Sequence, residues 1–112
     1  MIRVREMLCV LLLAMPVAAG AVTVDVPEQF WLKVRSGDSV LAEPEIAQAV
    51  RQFLDQPRSV LIVRHAREDE SLAHAEELRG WLIALGLEAG RIELAETNTA
   101  DRTLKIEIAE HK

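Results

Sequence analysis

Arginine and histidine side chains are concentrated where a predicted buried strand ends, in the segment Arg64–Arg67, which reads R-H-A-R. His74 follows within the next predicted helix, and Arg102 comes just before the last predicted strand. A guanidinium group forms paired hydrogen bonds with carboxylates and phosphates, and a histidine can accept a proton or a phosphoryl group. If the three arginines meet near His74 at one end of the sheet, the sequence predicts a small anion-binding pocket.

A second interpretation places the same arginines in separate surface ion pairs with the acidic run Glu68–Glu70, and the sequence leaves both interpretations open. The acidic run also suits the positive N-terminal end of a helix. The three histidines, His65, His74 and His111, have neither the i, i+4 spacing nor the alternate spacing that is typical of metal-ligand pairs. We therefore expect no metal site and no cofactor.

The first half of the chain contains signals for two strands and a helix. Alternating apolar residues predict a strand at Phe30–Val34. Trp31 is then either a partly buried packing residue, the commoner role of a tryptophan, or an exposed aromatic if it alternates outward from Phe30 and Leu32. Pro44 suits the first turn of an amphipathic helix that ends before Pro57. Ser59–Val63 is rich in β-branched apolar residues, which predicts a central strand buried on both faces.

The second half predicts one more helix and two more strands. The helix runs from about Ser71 to Leu85, and Gly86 is a suitable left-handed residue to end it. Ile92–Leu94 and Leu104–Ile108 are the strands. These elements predict an α+β fold, a two-layer β-α-β-α-β-β sandwich in which two helices cover one face of a mixed sheet.

The N-terminus has the layout of a secretory signal peptide over residues 1–21. Arg3 and Arg5 precede an apolar run, Met7–Met15, and small residues at Ala19–Ala21 form a cleavage site. The run is shorter than the roughly 20 residues that span a bilayer, although an uncleaved anchor is the alternative. We expect an exported, periplasmic protein with no membrane span after cleavage, an extended leader or short edge strand at residues 22–29, and a domain at residues 30–112.

Charge and cysteine content exclude several classes of protein. The formal net charge is −5 and no basic run is present, which makes nucleic acid an unfavourable partner. The one cysteine, Cys9, lies inside the predicted signal. The mature chain would then have no disulfide and no thiol nucleophile, so an apolar core has to stabilise it.

Four segments together resemble the OmpA-like domain, a periplasmic module that holds peptidoglycan. The resemblance extends from about Phe30 to Glu110, and its order and spacing carry more weight than any single segment. The segments are the second strand Val60–Val63, the helix opening Ser71–Ala75, the helix exit Leu85–Ile92 and the last strand Asp101–Ile108. The resemblance implies a non-enzymatic envelope protein whose partner is peptidoglycan or another envelope protein.

The residues that bind the ligand in that family are replaced here. Family members hold the diaminopimelate of the peptide stem with an Asp, which meets an ammonium, and an Arg, which meets a carboxylate. The Asp position is occupied by Arg67 and the Arg position by His74. An arginine cannot receive an ammonium group, so Glu68 or Asp69 would have to supply the carboxylate. The resemblance therefore implies a modified ligand site at Arg67, His74 and Arg102.

A second, shorter resemblance is to the histidine phosphatases. The stretch Leu61–Arg67 matches their L-x-x-R-H-G/A motif, in which His65 would be the phosphoryl acceptor and Arg64 would hold the phosphate. The family places a second histidine and an acid far downstream, whereas the only later histidines here are His74 and His111. A minimal or degenerate phosphatase centred on His65 is therefore the alternative function. A third hypothesis is a protein partner that contacts an exposed Trp31.

Overall fold

A four-stranded mixed sheet forms one layer of the protein. The computed structural model describes residues 22–98 and 100–110, so the predicted signal peptide and His111 lie outside the described residues. The strand order is β1-β4-β2-β3. The strands are β1 (Val22–Asp25), β2 (Ser59–His65), β3 (Ile92–Glu96) and β4 (Lys105–Glu110).

The centre of the sheet is β4 paired with β2. Strand β4 runs antiparallel to both of its neighbours, whereas β2 and β3 are parallel. Leu61 of β2 lies between Ile108 of β4 and Ile92 of β3, and all three side chains are buried. One face of the sheet therefore carries a continuous apolar core across the three strands.

Helices form the second layer. The described residues contain α1 (Glu28–Trp31), α2 (Gly37–Ala42), α3 (Pro44–Asp55) and α4 (Asp69–Ala84). The longer helices, α3 and α4, bury Ile46, Phe53, Leu78 and Leu82 against the apolar face of the sheet. The predicted two-layer α+β sandwich is confirmed. None of these helices has the combination of length and apolar character that a membrane span requires.

Local sequence explains where the two long helices begin and end. Pro44 occupies the first turn of α3, where its missing N–H costs nothing, and the helix ends before Pro57 as predicted. Helix α4 begins at Asp69, two residues earlier than predicted, with acidic side chains in its first turn. Gly86 follows α4 with a φ of 106°, which only glycine adopts readily.

The predicted strand at Phe30–Val34 is wrong. Those residues form the end of the one-turn helix α1 and a loop. Phe30 is 2% exposed, but Leu32 and Val34 are 78% and 92% exposed, so the alternation does not mark a strand face. The first strand of the sheet is β1, which pairs with β4 at the edge, as the edge-strand interpretation of the leader predicted.

The prediction that β2 is buried on both faces is also wrong. Leu61 and Val63 are fully buried beneath the helices, but Val60 and Ile62 on the other face are only half-buried. That face has no helical layer among the described residues. It instead carries an ion pair between Arg64 of β2 and Glu107 of β4.

Candidate functional site

A cavity of about 290 Å³ lies where α1, the start of α4 and the segment before β4 meet. Its walls combine charged groups with aromatic and aliphatic ones. They include Trp31, Leu32, Glu68, His74, Arg102 and Leu104. Polar and charged residues outnumber apolar ones in this lining, which suits a small charged ligand better than an apolar one.

The polar side of the cavity is an ion pair between Glu68 and Arg102. A guanidinium nitrogen of Arg102 lies 2.7 Å from Oε2 of Glu68. The Arg102 side chain is 74% exposed and that of Glu68 is 45% exposed. Such a pair contributes at most about 1 kcal/mol to stability, so both groups can exchange partners with a ligand at little cost. Glu28 and Glu70 add two further carboxylates to the lining.

Two turns of backbone position this ion pair. Asp101 accepts a hydrogen bond of 2.9 Å from the backbone N–H of Thr103, and this bond lowers the pKa of the Asp101 carboxyl. The turn presents the intervening Arg102. On the other side, the Ser71 hydroxyl accepts a 2.9 Å hydrogen bond from the backbone N–H of Ala66. That bond bridges the loop between β2 and α4, which contains Glu68.

The aromatic side of the cavity is a stack of two rings. The Trp31 indole and the His74 imidazole are nearly parallel, with centroids 4.1 Å apart and planes 5° apart. Phe30 meets Trp31 edge to face at 4.8 Å. Trp31 is therefore a half-buried packing residue, the commoner of the two roles considered for it, because α1 turns its indole against α4. An exposed indole platform for a protein partner is not what the structure contains.

Two of the three predicted ligand residues meet at the cavity, and the third does not. His74 and Arg102 both line it. Arg67 lies outside the lining, with its side chain 77% exposed and its Nε 2.9 Å from Oε2 of Glu96. The predicted convergence of arginines is absent, since Arg64 pairs with Glu107 on the open face of the sheet. The interpretation as separate ion pairs matches the structure, although only Glu68 of the acidic run is among the partners.

The phosphatase residues are adjacent in sequence but separated in space. Consecutive residues of a strand face opposite sides of the sheet. His65 is accordingly 7% exposed beneath the helical layer, where its Nδ1 donates to the carbonyl oxygen of Ala66 at 2.8 Å. Arg64 lies on the open face. The two side chains therefore do not form one phosphate-binding site.

Metal-ligand geometry is missing from the part of the chain that the structure describes. No group of three histidine, cysteine or carboxylate side chains is close enough there to hold an ion.

Sequence reasoning missed several cavity residues. Leu32 and Leu104 form an aliphatic wall, and Glu70 and Ser71 come from the first turn of α4. One sequence feature could have identified Leu104 as a cavity residue, namely its position directly after the Asp101–Thr103 turn. That position brings a buried residue next to the candidate Arg102.

No family model matches the chain, and no curated protein matches it in sequence.

Proposed function

We propose that this protein is a non-enzymatic binding module of the cell envelope that associates with peptidoglycan through the Glu68–Arg102 pair. The observation that carries the proposal is the position of this exposed pair, 2.7 Å apart, in the wall of a ligand-sized cavity. The OmpA-like resemblance supplies the ligand class, and the cavity supplies residues with the chemistry that the class requires.

The free end of diaminopimelate is a zwitterion, with an ammonium and a carboxylate on one carbon. Arg102 offers parallel N–H donors to the carboxylate, and Glu68 offers oxygens to the ammonium. The family pattern has an acid after the second strand and an arginine in the helix. Here the acid comes one residue after the substituted Arg67, and the arginine comes from the turn before β4. The same pair of charges would then be supplied from different positions.

The remaining walls suit the rest of such a ligand. Diaminopimelate has an aliphatic chain between its two charged ends. Leu32 and Leu104 provide apolar contact for methylene groups, and the Trp31–His74 stack provides a flat wall. The proposal also includes the predicted export, in which residues 1–21 act as a signal peptide and deliver the domain to the periplasm, where peptidoglycan lies.

A protein partner in the envelope is the second candidate, and one observation favours it. Leu32 and Val34 are 78% and 92% exposed on the loop after α1, and Leu32 also lines the cavity. Large aliphatic side chains at that exposure are typical of contact surfaces when they lie together. In this second candidate, the partner would contact Leu32 and Val34 rather than Trp31.

Co-sedimentation with purified sacculi tests the proposal. The protein should pellet with sacculi, and Arg102→Gln should weaken this binding at least tenfold, because a charge-assisted pair of hydrogen bonds is lost. Arg67→Gln is the matched control, since Arg67 is equally exposed but pairs with Glu96 away from the cavity. Equal loss in both variants would indicate general charge attraction and contradict the proposed site. Absence of binding by the wild type would favour the protein partner.

A further inference from the structure

One arginine outside the cavity connects three parts of the structure. The Arg35 guanidinium donates through Nε and Nη2 to the two carboxylate oxygens of Glu77 on α4. Its Nη1 donates to the backbone carbonyls of Trp31 at 2.8 Å and of Lys33 at 3.0 Å. A single planar group thus fixes the end of α1 and the following loop against α4.

The same ion pair also contacts both indoles. The guanidinium carbon of Arg35 lies 5.3 Å from the ring centroid of Trp31, within cation–π range. Glu77 accepts a hydrogen bond of 3.0 Å from Nε1 of Trp81. Glu77 therefore has three donors, two from Arg35 and one from Trp81, and its orientation is fixed.

This cluster lies behind the aromatic wall of the cavity. Trp31 and His74 line the cavity, whereas Arg35 and Glu77 do not. His74 and Glu77 are three residues apart on α4 and so lie on the same side of the helix. Arg35 contacts Trp31 from the loop, and Trp31 stacks on His74. The chain of contacts runs from Glu77 through Arg35 and Trp31 to His74.

We propose that Arg35 is a positioning residue for the cavity, which holds the Trp31–His74 stack in its ligand-ready arrangement without touching the ligand. This inference rests on the proposed binding function. A wall that is ordered before binding removes the entropy loss of immobilising two ring side chains. Releasing it should weaken binding roughly three- to tenfold, which corresponds to the ordering of one or two side chains.

The variant that tests this role is Arg35→Gln, with Arg67→Gln as the control. Each removes one guanidinium from an ion pair, but only Arg35 contacts Trp31 and Glu77. The first readout is the proton chemical shift of the His74 ring, which the stacked indole displaces through its ring current. The second readout is co-sedimentation of the same proteins with sacculi.

We expect Arg35→Gln to move the chemical shifts of the His74 ring protons toward their values in an unstacked peptide. We also expect it to weaken sacculus binding roughly three- to tenfold. Arg67→Gln should change neither. Arg35→Lys should fail to restore the shift, because an ammonium has three donors for the four hydrogen bonds that Arg35 makes and lacks the planar group that lies beside the Trp31 ring. If Arg35→Gln does not fold, Glu77→Gln removes the charge from the other side of the same pair.

The outcomes separate this inference from the function on which it rests. An unchanged His74 shift in a folded Arg35→Gln protein would overturn the positioning role even when wild-type binding is strong. A lost shift with full sacculus binding would show that the stack is irrelevant to affinity and would overturn it as well. A wild type that does not bind sacculi would instead overturn the proposed function together with this inference.

Discussion

The Trp31 indole lies flat against the His74 imidazole, with ring centroids 4.1 Å apart, and this contact joins α1 to the first half of α4. Neither ring is fully buried, and both line the cavity that carries the Glu68–Arg102 pair. The stack therefore belongs to the packing of the helical layer and to the candidate site at once. Its strength can be measured independently of any ligand.

A double-mutant cycle with Trp31→Leu and His74→Ala should give a coupling energy of about 0.5–1.5 kcal/mol, the usual value for a stacked aromatic pair. The free energy of unfolding of the four proteins in urea provides the measurement. Additive losses, within about 0.3 kcal/mol, would mean that the two rings do not interact in solution.

Acid should weaken the link between Arg35 and Glu77. Hydrogen bonds from Arg35 hold the pKa of the Glu77 carboxyl below its ordinary value of 4.5. A group whose pKa is lowered by folding stabilises the protein above its unfolded pKa, and this contribution is lost as the pH falls through the folded pKa. The stability difference between the wild type and Glu77→Gln should therefore be constant near neutral pH and shrink below pH 4.5.

Urea unfolding of both proteins across this pH range provides the check. Glu96→Gln is the control, because its pair with Arg67 is largely exposed and should contribute little at any pH. A stability difference for Glu77→Gln that stays the same down to about pH 3 would contradict this account of the ion pair.

The two glycines around the end of α4 should respond in opposite directions to alanine. Gly86 has a φ of 106°, so Gly86→Ala should destabilise the protein by about 1–2 kcal/mol. Gly80 lies inside α4 on its exposed side, and an added Cβ meets no atom within 4 Å. Gly80→Ala should stabilise by about 0.5–1 kcal/mol because alanine favours helix. Melting temperatures of the pair provide the measurement, and shifts of the same sign would be inconsistent with the assigned backbone.

Periodicity predicted the two long helices of this fold correctly, because α3 buries Ile46, Val50 and Phe53 and α4 buries Ala75, Leu78 and Leu82. The apolar stripes are not buried throughout, since Leu54 and Leu72 are exposed. Periodicity gave a wrong prediction at Phe30–Val34. Phe30 lies in the core there, but Leu32 and Val34 are exposed and do not form the buried face of a strand. Periodicity also failed for the second face of β2. A run of apolar residues cannot show whether a second layer of helices exists to cover Val60 and Ile62.

The candidate site was predictable only in part, because its side-chain directions also depend on tertiary contacts that local patterns do not show. His74 and Arg102 were identified from the ends of elements that meet at one edge of the molecule. The sequence groups Arg67 with them, but the direction of a loop side chain depends on tertiary contacts, and Arg67 turns toward Glu96. The position of Trp31 depended on the misassigned strand, so its stack with His74 could not be predicted.

Glu68 and Arg102 together should bind a group with an ammonium and a carboxylate on one carbon. The most direct measurement is an NMR titration of the protein with diaminopimelate, with cadaverine as the matched diamine that lacks both carboxylates. We expect chemical-shift changes at Glu68, His74 and the Arg102 Nε–H with diaminopimelate, much weaker changes with cadaverine, and none in Arg102→Gln. Shifts centred on Arg67, equal shifts with cadaverine, or no shifts in the wild type would contradict this expectation.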